Sequence, residues 1–279
     1  MAKKLNGEII SADSMQIYKD MNIGTAKPTL EEQEGIKHYL LDIVNPEEEF
    51  NVTKYKELAE EAIEEILAKN KVPIVVGGTG LYISSLTDAI SFSDVPEDPK
   101  YREELGKIAK EEGPEVLHQK LKEIDEASFH KIDQNNVRRV IRALEIFHVT
   151  GKTKTELDKE SIGEAKYDFK IYGILWDREK LYERIEKRVD LMLADGLIDE
   201  INSLREKYPH LSKTALQGIG YKEVIPYLEG NCSYDEMVEK LKMETRRYAK
   251  RQMTWFRRDK KIKWCNAKDV VQTIIDDMT

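Results

Sequence analysis

Asp13, Ser14 and Gln16 place a carboxylate, a hydroxyl and an amide just behind the apolar pair Ile9-Ile10. In an open α/β sheet, ligands gather outside the carboxyl ends of the strands. A carboxylate held there, partly withdrawn from water, can remove a proton as a general base. An Asp-Ser pair also caps turns and helices, and the spacing admits both readings. Thr79 stands in Gly77-Gly78-Thr79-Gly80, directly after the apolar run Val72-Pro73-Ile74-Val75-Val76. Glycines at such a point let backbone N–H groups approach an anion, and a helix N-terminus behind them favours negative charge. A tight turn packing a helix on its strand explains the same glycines.

Three further groups are cationic. Arg138, Arg139 and Arg142 fall together on a helix from Asn136 whose other face is Val137, Val140, Ile141, Leu144 and Phe147. Guanidinium groups so close repel one another unless an anion faces them, so the helix presents either a solvated face or a phosphate-backbone contact. Lys180, Arg184 and Arg188 recur every four residues, with Glu179, Glu183 and Glu186 nearby as ion-pair partners. A pyrophosphate clamp is the sharper reading of that row. In residues 244–258, basic side chains interleave with Tyr248, Trp255 and Phe256. That composition offers phosphate neutralisation together with platforms for unstacked bases, unless the aromatic rings belong to the core.

The elements that must hold these residues are legible from periodicity. Short apolar strands are predicted at Ile9-Ile10, in residues 38–43 and 169–175, at 72–76 and at 262–264. An acidic helical start is read over residues 29–37 and an amphipathic helix from the N-cap Asn51 to Leu67. Helices are read over 100–112, 114–122, 127–132 and 136–149, then 178–194, a further one to Lys207, and a long one opened by the Ser233-x-x-Glu236 capping box. Strand, helix, strand in this order predicts an α/β fold with a parallel sheet buried on both faces. The stretch from Ser91 to about Thr150 carries no strand pattern. Residues 1–92 and 167–279 are therefore read as an α/β core, and 93–166 as an all-helical insertion.

Composition narrows the class. The 279 residues are 40% hydrophobic and 35% charged, with a formal net charge of −8. Overall charge gives no sign of a nucleic-acid partner, but residues 240–263 are strongly basic within an acidic chain. Two cysteines, Cys232 and Cys265, are too few for a disulfide framework and lack metal-ligand spacing. No apolar run approaches the roughly 20 residues of a membrane span, and no signal peptide is apparent. A cytoplasmic, monomeric protein is expected.

Taken together, the blocks ISADSMQIYKDMNIGTAKP, HYLLDI, VPIVVGGTGLY, NNVRRVIRALE, LYERIEKRVDLML, GIGYKE and RRYAKRQMTWFRR resemble those of the tRNA dimethylallyltransferases, also called tRNA isopentenyltransferases. The resemblance runs over nearly the whole chain. It implies a P-loop NTPase-like core with a helical insertion that grips the anticodon stem-loop. It implies transfer of a dimethylallyl group from dimethylallyl diphosphate to N6 of the adenosine 3′ of the anticodon, in tRNAs reading U-starting codons, with Mg²⁺. By this match Asp13 is the general base, and Asp13, Ser14, Met15 and Gln16 surround the target adenine. Thr79 lies near adenine and donor. Arg102, Arg138, Arg139, Val140, Ile141 and Arg142 contact tRNA, as do Gln217, Gly218, Ile219, Gly220, Tyr221 and Lys222. A further tRNA stretch comprises Lys250, Arg251, Gln252, Met253, Thr254, Trp255, Phe256 and Arg257. Arg184, Arg188, Gly78 and Thr79 are matched to the diphosphate.

One departure stands out. The family's G-x-x-x-x-G-K-[ST] loop is nowhere in the chain, and residues 1–6 match the end of the helix that follows it. The comparison implies that roughly two dozen residues, with a central strand, precede this start. It also implies a chain that binds tRNA but transfers little. Two other classes stay open on the residues alone: a P-loop kinase relative acting on a small molecule, and an inactive RNA-binding protein.

Overall fold

The computed structural model describes residues 1–88, 95–161 and 166–278. In chain order it begins with α1 (Ala2–Leu5), β1 (Gly7–Ser11), β2 (His38–Tyr39), α2 (Val52–Ala68), β3 (Val72–Val76) and α3 (Gly80–Thr87). Five helices follow: α4 (Pro99–Glu111), α5 (Pro114–Ile124), α6 (Glu126–Lys131), α7 (Val137–Thr150) and α8 (Lys154–Glu160). The chain then forms β4 (Tyr172–Leu175), α9 (Arg178–Ala194), α10 (Leu197–Lys207), α11 (Tyr221–Leu228), α12 (Tyr234–Phe256), β5 (Lys263–Asn266) and α13 (Val270–Met278). It divides into two compact units, Met1–Thr87 with Asp168–Thr279, and Asp88–Tyr167. The sequence reading draws these borders at 92/93 and 166/167. Among the described residues, no helix is long and apolar enough to cross a membrane.

All strand pairs in the first unit are parallel. A three-stranded sheet has the order β2-β1-β3, and β4 pairs with β5 as a separate two-stranded sheet. The single parallel sheet expected from the sequence is thus drawn as two. In the central β1, Ile10 is wholly buried, and Ile9 lies opposite both His38 and Ile74. Behind β1, α2 is capped by Asn51, whose Oδ1 accepts the Lys54 N–H at 3.0 Å. Its buried stripe is Tyr55, Ala59, Ala62, Ile63 and Ile66. Each such aliphatic side chain contributes about 1.5–3 kcal/mol by leaving water. The Tyr55 ring stacks on Tyr82 of α3 at 3.9 Å, which ties the helices on either side of β3 in sequence.

Two local expectations change. Residues 29–37 start as a helix would: the Thr29 N–H donates to the Glu32 carboxylate, and Thr29 Oγ1 accepts the Glu32 N–H. Glu34 then takes a left-handed φ of 50°, and only turns form there. The strand read over 38–43 stops after Tyr39, because Leu40 and Asp42 also adopt left-handed φ values of 63° and 55°. In the second unit Leu105, Leu117, Leu121, Val140, Ala143 and Leu144 form a core shared by α4, α5 and α7. Asp125 caps α6 through Ser128 and accepts both the N–H and the hydroxyl of Thr155 at the start of α8.

Candidate active site

The site begins where β1 and β3 end side by side. Past Ser11 the ladder continues with Ala12 N–H donating to Val76 O at 2.8 Å, and Thr79 N–H donates back to Ala12 O at 3.1 Å. A Cβ on Gly77 would lie 2.3 Å from that same Ala12 oxygen, so only glycine lets the two strand ends meet here. The exchange carries the Thr79 side chain to Ser14: its Oγ1 accepts the Ser14 N–H at 3.0 Å and donates to Ser14 Oγ at 3.3 Å. Asp13 lies in the same turn. Its Oδ1 accepts the N–H groups of Met15 at 2.8 Å and Gln16 at 3.2 Å, which closes an Asx turn. Among the described residues, Oδ2 accepts no hydrogen bond. The turn-capping and general-base readings of Asp13 are therefore compatible, one for each oxygen.

Gln16, read as lining the target adenine, is held by hydrogen bonds to the protein. Its amide N–H₂ donates to Thr25 O and Ala26 O, each at 3.2 Å, and its Oε1 accepts Ser11 Oγ at 3.2 Å. These bonds hold the half-buried side chain against the carbonyls of Thr25 and Ala26.

Helix α12 covers the glycine turn with one stripe, Tyr248, Gln252 and Trp255. Gln252 Nε2 donates to Gly78 O at 3.0 Å, and the Tyr248 hydroxyl lies 3.5 Å from the same oxygen. A Cβ on Gly80 would lie 2.5 Å from Trp255 Cδ1. Burial, and then the charge of Asp13, pushes the Tyr248 phenol above its ordinary value, so it stays a donor. Lys250, Arg251, Thr254 and Arg257 are exposed, while Met253 and Phe256 are half-buried. The stretch read as one tRNA contact thus carries an exposed basic face beside a stripe that reaches the turn, where Trp255 touches Gly80 and is still 37% exposed.

On α9, Arg184 and Arg188 are both exposed. The Arg184 guanidinium lies over the ring of Trp176, just past the end of β4, at 4.4 Å. Of the glutamates expected to neutralise this row, Glu186 pairs instead with Arg246 of α12 at 2.6 Å, and Lys180 pairs with Asp177 at 3.2 Å.

In the helical unit, Glu145 of α7 is wholly buried. It accepts Arg102 Nε at 2.7 Å, Arg102 Nη2 at 2.9 Å, Arg142 Nη1, and the Asp98 N–H at 2.8 Å. Burial raises its pKa, but the two guanidinium groups prevail and hold the carboxyl below its ordinary value. Arg102 and Arg142, read as tRNA contacts, are drawn onto this carboxylate. Val140 and Ile141 are buried in the core, which leaves Arg138 and Arg139 as the exposed cations of that block. Of the glycine-containing stretch, Gln217 is exposed, whereas Gly218, Gly220 and Tyr221 are buried, with Ile219 and Lys222 between.

Sequence reading missed Glu200. This α10 residue accepts the backbone N–H groups of Asn22, Ile23 and Gly24 at 2.9, 2.7 and 3.1 Å, and the Tyr221 hydroxyl at 2.7 Å. Nothing around an isolated Glu in an acidic helix start signals such a partner far away in the chain.

Known proteins resemble this chain over most of its length. The family described as IPP transferase matches residues 16–259. A tRNA dimethylallyltransferase of Acetivibrio thermocellus is 57% identical over 267 residues, covering 95% of this chain and 85% of that protein. Another from Desulforamulus reducens is 50% identical over 277 residues, covering 97% and 98%. The crystal structure of a tRNA isopentenylpyrophosphate transferase from Bacillus halodurans superposes with a TM-score of 0.72 at 40% identity, covering 99% of this chain and 88% of that one. A eukaryotic dimethylallyltransferase acting on tRNA gives 0.75 at 33% identity, covering 97% and 70%. The likenesses place the fold in the P-loop NTPase-like α/β class.

Proposed function

The chain belongs to the IPP transferase family, and from that premise we propose that it prenylates tRNA. The donor is dimethylallyl diphosphate, and the acceptor is N6 of the adenosine 3′ of the anticodon in tRNAs reading U-starting codons. The observation that carries this reading is the unshared Oδ2 of Asp13 beside the Ser14–Thr79 hydroxyl pair, at the ends of two parallel strands and close to α12. The N6 lone pair is delocalised into the purine. A base that takes the N6 proton as the new bond forms makes that nitrogen a competent nucleophile. In the step, N6 bonds to C1 of the dimethylallyl group, the C1–O bond breaks with its electron pair leaving on diphosphate, and the proton goes to Asp13.

Within this proposal Arg188 and Arg184 face the departing diphosphate, Arg138 and Arg139 hold the tRNA backbone, and the exposed face of α12 does the same. The target base must leave its stack to reach a strand-end carboxylate. Mg²⁺ enters as a counter-ion carried by the diphosphate. Among the described residues, no three His, Cys, Asp or Glu side chains converge to hold a resident ion, and no step here passes through one. A cytoplasmic, monomeric working form belongs to the same proposal.

The test supplies labelled dimethylallyl diphosphate and undermodified tRNA and follows label into the tRNA. Transfer confined to adenosine beside the anticodon supports the proposal. Retention of tRNA with no donor consumed would support the RNA-binding reading instead, and consumption of donor without tRNA would favour a small-molecule enzyme.

A further inference from the structure

Three consecutive backbone N–H groups turned toward one point make a nest for an anion. In the loop after the Asp13 turn, the protein fills such a nest itself: Asn22, Ile23 and Gly24 all donate to the Glu200 carboxylate. Tyr221, only 3% exposed, donates its hydroxyl to Glu200 Oε1. Its ring closes on the loop so tightly that a Cβ on Gly24 would lie 2.6 Å from Tyr221 Cε2. Burial, and then the charge of Glu200, drives that phenol well above its ordinary value, which keeps the donor in place.

The held loop turns at Ala26, whose φ is 49°, and is closed by Lys27 N–H donating to Asn22 O at 3.0 Å. The carbonyls of Thr25 and Ala26 then take both hydrogens of the Gln16 amide. Gln16 in turn donates its backbone N–H to Asp13 Oδ1. Hydrogen bonds, joined by the covalent chain of residues 22–26 and of Gln16, thus link α10 to the carboxylate at the end of β1. A base displaced by a fraction of an ångström loses rate without losing binding, because the acceptor is held by other contacts.

From this chain of contacts we infer that Glu200, steadied by Tyr221, is a positioning residue that sets the Asp13 carboxylate through residues 22–26 and Gln16. The inference rests on the reading of Asp13 as general base.

The test makes Glu200→Ala, Glu200→Gln and Tyr221→Phe in the full chain and uses two measurements. The first is residue-resolved amide hydrogen exchange on the free protein. The amides of Met15 and Gln16 decide, because their acceptor is Asp13 and not Glu200. In Glu200→Ala they are expected to exchange about tenfold faster or more, with the β1 amides Ile9 and Ile10 unchanged. Tyr221→Phe moves the same two amides less. The second is prenyl transfer, expected to lose about 10- to 100-fold in kcat with KM for tRNA within about twofold. Glu200→Gln, which keeps an acceptor oxygen, recovers part of both losses. Unchanged Met15 and Gln16 exchange overturns the inference. So does acceleration that spreads equally into β1, which would make Glu200 a support of the fold only. If Asp13→Asn transfers at the parental rate, the general-base reading falls by itself, and the exchange data still decide whether Glu200 sets the turn.

Discussion

At the scale of residues, the proposed function assigns the two oxygens of Asp13 different work, Oδ1 closing the turn and Oδ2 acting as base, and that division makes a clean substitution available. Asp13→Asn keeps an Oδ1 that accepts the Met15 and Gln16 amides, so the turn stays closed, while the basic oxygen is replaced by an N–H₂. Transfer is expected to fall about 10²- to 10⁴-fold, the usual worth of a positioned base. Retention of tRNA on a filter should be unchanged, and a parallel loss of binding would contradict this assignment. The types and spacing of Asp13, Ser14 and Thr79 were legible in the sequence because each sits just past a strand. The ion pairs of Arg102 and Arg142 with Glu145 were not. Their partner Glu145 stands in the same NNVRRVIRALE block, three residues after Arg142, but a one-dimensional reading counts the guanidinium groups without showing which carboxylate is buried between them. The hydrogen bonds of Gln16 were out of reach for a related reason: its acceptors Thr25 and Ala26 are carbonyls of a loop bonded to the distant Glu200.

At the scale of elements, the long helices were read well, since their burial follows a 3.6-residue period that composition preserves. The pieces that failed, residues 29–37 and the end of β2, turn on left-handed Glu34, Leu40 and Asp42. Such positions are fixed by tertiary contacts such as the Lys27–Asp42 ion pair at 2.5 Å, not by local propensity. Helix α12 combines both cases: its period was evident, but which stripe faces the protein was not. Because Trp255 lies directly over Gly80, Gly80→Ala is expected to push the indole off the turn at a cost of about 1–3 kcal/mol. In a chain with Trp176 and Trp264 replaced by Phe, Trp255 emission should shift to the red and transfer should fall. Emission at the parental wavelength would show that the helix yields instead. The start of β1 carries a pH signature. Lys71 first, with Tyr39 and Lys69, overcomes burial and holds Glu8 down at about 2. A carboxyl depressed on folding stabilises the protein above its unfolded value and loses that contribution as pH falls through the folded one. The stability gap between the parent and Glu8→Gln should therefore be full at pH 6 and narrow between about pH 4.5 and 2. Melting curves across that range check it, and a gap that widened on acidification would contradict the ion-pair account.

At the scale of the molecule, a chain of net charge −8 that binds tRNA must do so against its own mean field. The attraction has to be local, and the structure separates the cations able to supply it from those already spent. Arg102 and Arg142 are drawn onto Glu145, Arg246 pairs with Glu186, and Arg247 pairs with Glu244. Lys250, Arg251 and Arg257 lie exposed along α12, and Arg138 and Arg139 along α7. Each phosphate neutralised by such a group releases condensed counter-ions, so affinity falls with salt at a slope set by the number of contacts. Replacing Lys250, Arg251 and Arg257 by Ala should flatten the plot of log affinity against log salt by about 0.7–0.9 per lost contact, with binding weakened most at low salt. Replacing Arg247 should leave the slope nearly unchanged, since Glu244 already neutralises it at 2.6 Å. Titrating labelled tRNA at several salt concentrations separates the two sets. Equal flattening by Arg247→Ala would mean that tRNA breaks the ion pairs seen here, and that charge along α12 acts as an undivided field.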